Sequence, residues 1–188
     1  PILILGYTFP YAYERMAREE IRPAVFRGDS LPELARAAER AGKPMKIHVK
    51  VDTGMGRIGV TPDAEGLEFV REALEYARKG SFEVEGIFTH FARADERDKT
   101  SATEQLGRFR EFIGLRERET GFLIPVKHCS NSAGILELPQ ANMDMVRAGI
   151  TLYGLMPSDE VPGGAADLRP ALSMYSKIVH IKTIRRGQ

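Results

Sequence analysis

The 188-residue sequence has a single cysteine, almost no net charge and no long apolar run. One thiol, Cys129, excludes an internal disulfide and any zinc site built from several cysteines, and it fits a reducing compartment such as the cytoplasm. Lys and Arg number 27 against 26 Asp and Glu, a formal charge of +1. That balance gives no electrostatic ground for binding nucleic acid or an anionic membrane surface. No apolar stretch approaches the roughly 20 residues a membrane span requires. The opening Pro1-Ile2-Leu3-Ile4-Leu5 lacks the basic flank of a signal peptide and also lacks a starting methionine, so we expect a chain that begins mid-protein.

What is present is an ordinary globular composition, 43% hydrophobic and 28% charged. A chain of this length buries roughly 70% of its unfolded surface. Short β-rich runs alternate with helical patterns. Strands are expected at residues 2–5, 23–27, 45–51, 82–91, 126–129 and 145–153. Helices are expected at 11–20; from Ser30, with Glu33 completing a capping box and Gly42 as the stop; from Thr61-Pro62, with Leu67, Val70, Leu74 and Ala77 as its apolar stripe; from Ser101, with Glu104; and at 131–138, stopped by Pro139. The alternation predicts a parallel sheet covered by helices, closed as an open doubly wound sheet or as a (β/α)8 TIM-type barrel. Residues 1–155 form that unit. Residues 156–169 are rich in turn formers and acids and read as a linker. Residues 170–188 read as the first strand of a different, β-rich domain.

Several positions could carry chemistry. Gly54-Met55-Gly56-Arg57-Ile58-Gly59 matches the G-x-G-x-x-G dinucleotide pattern after a strand, yet the next helix opens only after it, at Thr61-Pro62, and the following strand ends in Thr89-His90-Phe91 instead of an acid. A plain chain-reversing turn, and a loop that admits Arg57 to an active-site mouth, remain beside the nicotinamide reading. Lys50 and Asp52 end the third strand and His90 the fourth, and parallel-strand C-termini are where α/β active sites collect. His128-Cys129-Ser130-Asn131-Ser132 runs from the fifth strand into a short helix, suited to an anion or to a simple cap. Arg147 interrupts the apolar run Met145-Val146-Arg147-Ala148-Gly149-Ile150, where an unpaired guanidinium costs several kcal/mol to bury, so it must meet a carboxylate or a ligand. If 126–129 and 145–150 are the seventh and eighth strands of a barrel, then Asn131, Ser132 and the amides of Gly149 and Ile150 share one phosphate.

Four motifs in order resemble alanine racemase, the pyridoxal-phosphate enzyme that interconverts L- and D-alanine: Lys50 to Gly59, Thr89-His90-Phe91-Ala92-Arg93-Ala94-Asp95, His128 to Ala133, and Met145 to Gly154. The resemblance runs over essentially the whole chain. It implies that Arg147 faces the pyridine nitrogen of pyridoxal 5'-phosphate (PLP), that His90 lies beside the ring, and that Asn131, Ser132, Gly149 and Ile150 hold the phosphate. It places Arg57 near the phenolic oxygen and the substrate carboxylate, positioned by Lys50, which in the family is often carbamylated. It implies a cytoplasmic homodimer with a shared active site, supplying D-alanine for peptidoglycan, with no metal. The family's Schiff-base lysine, in a Lys-x-x-x-Tyr-Gly-x-Gly run, has no counterpart in this sequence, and the opposing tyrosine belongs to a later β-domain of the partner subunit. The chain therefore resembles barrel strands three to eight, the linker and one further strand, carrying the cofactor's cradle without either catalytic base. A racemase for another amino acid such as serine, and a non-catalytic module that keeps only the cradle, are the alternatives.

Overall fold

The structure, a computed structural model, describes residues 1–162 and 166–187. Its sheet has five strands, β1 (Ile2–Ile4), β2 (Ile21–Val25), β3 (Met45–Lys50), β4 (Phe82–Phe88) and β5 (Val126–His128). They lie side by side in chain order, and every neighbouring pair is parallel. A doubly wound sheet reverses its strand order at a switch point. This one never reverses, so of the two closures the sequence leaves open, the sheet follows the barrel: an incomplete TIM-type barrel in the form of a half-barrel.

The helices α1 (Tyr13–Arg18), α2 (Ser30–Ala41), α3 (Ala64–Arg78), α4 (Thr100–Thr120) and α5 (Ser132–Glu137) follow the strands in turn. Side chains alternate along a strand, and β3 uses that alternation to separate two environments. Ile47, Val49 and the adjoining Val51 face outward, in one buried cluster with Leu31 and Leu34 of α2, Phe69, Val70 and Leu74 of α3, and Phe109 and Phe112 of α4. Each such side chain contributes about 2 kcal/mol by leaving water. Lys46, His48 and Lys50 occupy the opposite, interior face. β4 keeps the same division only by means of a bulge. Ile47 pairs with Val84 but His48 pairs with Gly86, so Glu85 is an extra residue in the ladder. Before the bulge Phe82 and Val84 pack against the helices; after it Ile87 does, and Phe88 turns inside.

Several boundaries differ from expectation. Helix α3 begins at Ala64, not at Thr61-Pro62, because the Asp63 carboxylate caps it, accepting from the amides of Glu65 (3.0 Å) and Gly66 (3.1 Å). Neither expected capping box forms. Ser30 is buried within the first turn of α2, and α4 starts one residue early, where Thr100 donates to Asp98 instead. The expected strand at 145–153 is not a strand. Asp144 N donates to Lys127 O and Arg147 N to Ser130 O, both at 3.0 Å, which lays the segment beside β5. However, the Asp144 carboxylate takes the Lys127 amide (2.8 Å) that a ladder carbonyl would need, and Ile150–Tyr153 coils into a 3-10 turn. The strand expected within 170–188 has no ladder partner among the described residues. Its segment joins the rest through Ala171 N to Tyr153 O (3.0 Å) and exposes Leu172, Met174, Tyr175 and Ile178. Within the expected linker, Gly163, Gly164 and Ala165 lie outside the described residues.

Candidate functional site

The strand ends β3, β4 and β5 converge on one cluster. Its floor is the Phe88 ring, against which the His128 imidazole stacks with centroids 4.7 Å apart. Lys50 Nζ lies 5.4 Å and Arg147 Cζ 5.2 Å from the centroid of the same ring, both in cation–π range.

The glycine-rich loop after β3 is organised by Asp52. Its carboxylate accepts from four successive amides: Gly54 and Met55 at 2.9 Å, Gly56 at 3.1 Å and Arg57 at 3.0 Å. Burial disfavours that charge, but the four amides outweigh burial and hold the Asp52 pKa below its ordinary value. The loop then returns to its own strand, with Asp52 N donating to Val60 O (2.8 Å) and Val60 N to Lys50 O (2.9 Å). Gly59 is required at the crossing: its φ is +131°, and a Cβ there would sit 2.5 Å from Asp52 N. The amides that would cradle a dinucleotide pyrophosphate are thus spent on Asp52, and the nicotinamide reading of this motif falls. Arg57 projects from the loop and is exposed.

Lys50 is 2% exposed, donates to Val51 O (2.8 Å), and has its pKa lowered to about 8 by burial. The loops after β3 and β4 are locked together by groups that sequence reasoning missed. Thr53 Oγ1 and Thr89 Oγ1 lie 2.8 Å apart. Gln105, buried on α4, donates to Thr53 Oγ1 (3.3 Å) and His90 O (3.2 Å) and accepts from Ala92 N (2.9 Å). A buried glutamine amid the apolar positions of α4 was the one available signal.

Arg147 reaches back under the sheet's end. Its Nη2 donates to Thr89 O (2.8 Å) and Cys129 O (3.0 Å), and lies 3.4 Å from His90 Nδ1; its Nη1 donates to His128 Nδ1 (2.6 Å). Its Nε is sealed from solvent and has no acceptor. No carboxylate pairs with it among the described residues. Burial lowers its pKa to about 10, and burial together with the Arg147 charge lowers that of His90 to about 4.

Ser132 and Asn131 meet the same region. Ser132 Oγ accepts from the amides of Gly149 (2.9 Å) and Thr151 (3.4 Å), while Asn131 Oδ1 caps α5 through Gly134 N (3.0 Å). A cavity of about 490 Å³ is lined by His90, Asn131, Ser132, Arg147, Gly149 and Ile150 together with Leu5 and Met55. Six of the residues singled out in the sequence therefore share one cavity. Lys50 lies beneath it and Arg57 at the adjacent loop, neither in its wall. A larger groove of about 690 Å³ between α2 and α3, at the opposite ends of the strands, holds Arg36, Lys43 and Lys79 but offers no buried polar group to orient a ligand. Cys129 is buried with its thiol pushed up to about 11 by desolvation, so it is packing rather than chemistry. Among the described residues no cluster could hold a metal ion, and no helix is long and apolar enough to cross a membrane.

Comparison with known families gives one match across this site: the alanine racemase N-terminal domain, over residues 1–157. The chain belongs to the alanine racemase N-terminal domain family. An alanine racemase of Desulforamulus reducens is 43% identical over 187 residues, which cover the whole of this chain and half of that protein. The solved alanine racemase of Clostridium difficile 630 in complex with cycloserine superposes with a TM-score of 0.87 at 39% identity, covering 97% of this chain and 49% of that one. The alanine racemase of Bacillus anthracis with bound L-Ala-P superposes at 0.83 with 32% identity, covering 98% and 47%. The chain spans about half the length of the relatives it matches. What it shares with the solved alanine racemases is thus the half-barrel.

Proposed function

We propose that this chain is the cofactor-cradling part of a PLP-dependent alanine racemase, a cytoplasmic homodimer that interconverts L- and D-alanine by two-base proton transfer and supplies D-alanine for peptidoglycan. The observation that carries it is Arg147, a buried cation without a carboxylate whose Nε has no acceptor, in the wall of a cavity at the strand ends. A pyridine nitrogen is an acceptor of the kind that donor lacks, so the residues present fit the cofactor.

Bound there, PLP supplies an electron sink for the carbanion left when the substrate's α-proton departs. The chain's residues set how strong that sink is. Arg147 would donate to the pyridine nitrogen and, since a guanidinium cannot readily give up a proton, would hold that atom without protonating it. His90, neutral at its lowered pKa, lies beside the ring without adding charge. Ser132, Asn131, Gly149 and Ile150 would hold the phosphate. Arg57, free at the mouth, reaches the phenolic oxygen and the substrate carboxylate. Lys50, lowered to about 8 by burial, would take up carbon dioxide as a carbamate, its amine releasing one proton to solvent, and that anion would orient Arg57. Both catalytic bases come from outside this chain.

Residues 1–155 are then barrel, 156–169 linker, and 170–188 the opening strand of a β-rich domain. The family match ending at 157 and the apolar side chains left open at Leu172, Met174 and Ile178 support that division.

The test is racemisation of alanine by the full-length protein, followed by coupled oxidation of the product enantiomer. We expect racemase activity and a visible cofactor absorbance, with PLP affinity falling about 100-fold on Arg147→Ala, near 3 kcal/mol for a lost charge-assisted hydrogen bond. Full activity with serine but none with alanine would reassign the substrate, and cofactor binding unchanged by Arg147→Ala would remove the cradle.

A further inference from the structure

Behind Arg147 a chain of buried polar groups runs down the interior of the half-barrel. Arg147 Nη1 meets His128 Nδ1 at 2.6 Å, His128 Nε2 meets His48 Nδ1 at 2.9 Å, and His48 Nε2 meets a Glu85 carboxylate oxygen at 3.1 Å. Glu85 also accepts from Arg22 (2.9 and 3.3 Å) and Lys46 (3.1 Å). The four residues occupy four elements: β4, β3, β5 and the segment after α5.

We infer that Glu85 is a positioning residue for Arg147, acting through His48 and His128, both held as neutral Nε2–H tautomers. Donor and acceptor chemistry fixes this direction from both ends. A guanidinium only donates, so His128 Nδ1 must accept, and the single proton of His128 sits on Nε2. An ionised carboxylate only accepts, so His48 carries its proton on Nε2 and presents Nδ1 to His128. Protonating either ring a second time would set two N–H groups face to face. The two rings therefore transmit the orientation of one end to the other, and in a low-dielectric interior such a chain polarises along its length. Glu85 is the anion at the far end of the hydrogen-bonded chain from Arg147, to which no carboxylate is bonded directly among the described residues.

Two features show that the fold makes room for this chain. Glu85 is the extra residue of the β4 bulge, and bulges re-aim side chains that a regular ladder would point elsewhere. The next residue is Gly86, where a Cβ would lie 2.3 Å from His48 Nδ1. Electrostatics agree: the Arg22 contact leads, against the cost of burial, in bringing Glu85 to about 2, and burial lowers both histidines, His128 to about 2. Arg22 and Lys46 keep the carboxylate ionised, and no other acidic side chain bonds either ring among the described residues.

Neutron diffraction from crystals of the full-length protein tests the tautomers directly and does not depend on the cofactor reading. Deuterium is expected on Nε2 of His48 and of His128 and on neither Nδ1; density on either Nδ1 overturns the inference. A second arm rests on the proposed function and uses the full-length holoenzyme. Glu85→Gln is expected to lower kcat about tenfold with KM within about twofold, the scale found when the partner of an orienting histidine is removed. It is also expected to move the visible absorption maximum of the cofactor, and Glu85→Asp to restore most of both. A variant that loses thermal stability while its absorption maximum and kcat stay unchanged would make Glu85 structural only. If the unsubstituted protein binds no cofactor, the proposed function fails, and the neutron result still decides the tautomers.

Discussion

The interior of the half-barrel has two levels that treat charge in opposite ways. At the lower level Arg22, Lys46 and Glu85 form a compact ion cluster in which each cation meets an anion within 3.1 Å. At the upper level Lys50 and Arg147 lie against one aromatic ring with no carboxylate bonded to either among the described residues. The lower level is complete in itself. The upper level has donors and positive charge in excess, which is how a site for an anionic, acceptor-rich ligand looks before the ligand arrives.

The comparison can be broken most directly from below. Glu85→Ala leaves two partly buried cations and the His48 donor without their acceptor, and should cost about 3 kcal/mol of stability, read as a shift in the denaturant midpoint. A loss under about 1 kcal/mol would mean that water replaces the carboxylate easily and the lower level is not closed.

Acid should dissect the two levels next. His48, His90 and His128 all have folded pKa values below the ordinary 6.5, so the unfolded chain binds protons first, and stability falls as pH drops below about 6.5. Glu85 has a folded value of about 2 against an ordinary 4.5, so its contribution is present above 4.5 and is lost as pH falls toward 2. Denaturant midpoints should fall from about pH 6.5 and more steeply below 4.5, and Glu85→Gln should lessen only the added steepness. A midpoint flat between pH 6.5 and 4.5 would show that the rings are not buried as neutral groups.

Smaller effects belong to the mouth. Gln105→Leu takes the side-chain partner from the amide of Ala92 and the carbonyl of His90 and should cost about 2 kcal/mol, checked by thermal melting. Arg57→Ala removes an exposed side chain and should change stability by less than about 0.5 kcal/mol. A larger loss would place Arg57 in the fold's support.

Much of the fold was legible in the sequence, for reasons visible in particular residues. The alternation of Lys46, His48 and Lys50 with Ile47, Val49 and Val51 marks a strand with one apolar and one polar face, and the structure turns the polar face to the barrel interior. The segment at 145–153 misled because its apolar run mimics a strand, whereas the side chain of Asp144 takes the amide that pairing would use. His90, Asn131 and Ser132 follow the ends of β4 and β5, so their position marked them, whereas Arg147, Gly149 and Ile150 lie in a segment that forms no strand and stood out through one charge in an apolar run. Glu85 and Gln105 escaped notice because nothing local sets them apart; their partners lie on other elements, up to 63 residues away for Glu85 and Arg22.

The bulge at Glu85 lets β4 carry one residue more than β3 without disturbing the upper level. Side chains alternate strictly along a strand, so if the same residues ran on from Val84 to Phe88 without the bulge, the two faces beyond it would be exchanged. Ile87 would turn inward and Phe88 would turn to the helices, removing the ring on which His128, Lys50 and Arg147 gather. Every one of those three side chains would still be present in the sequence. Deleting Glu85 would instead keep both faces, because Ile47 already pairs with Val84 and His48 with Gly86, and would take away only the carboxylate beneath the histidines.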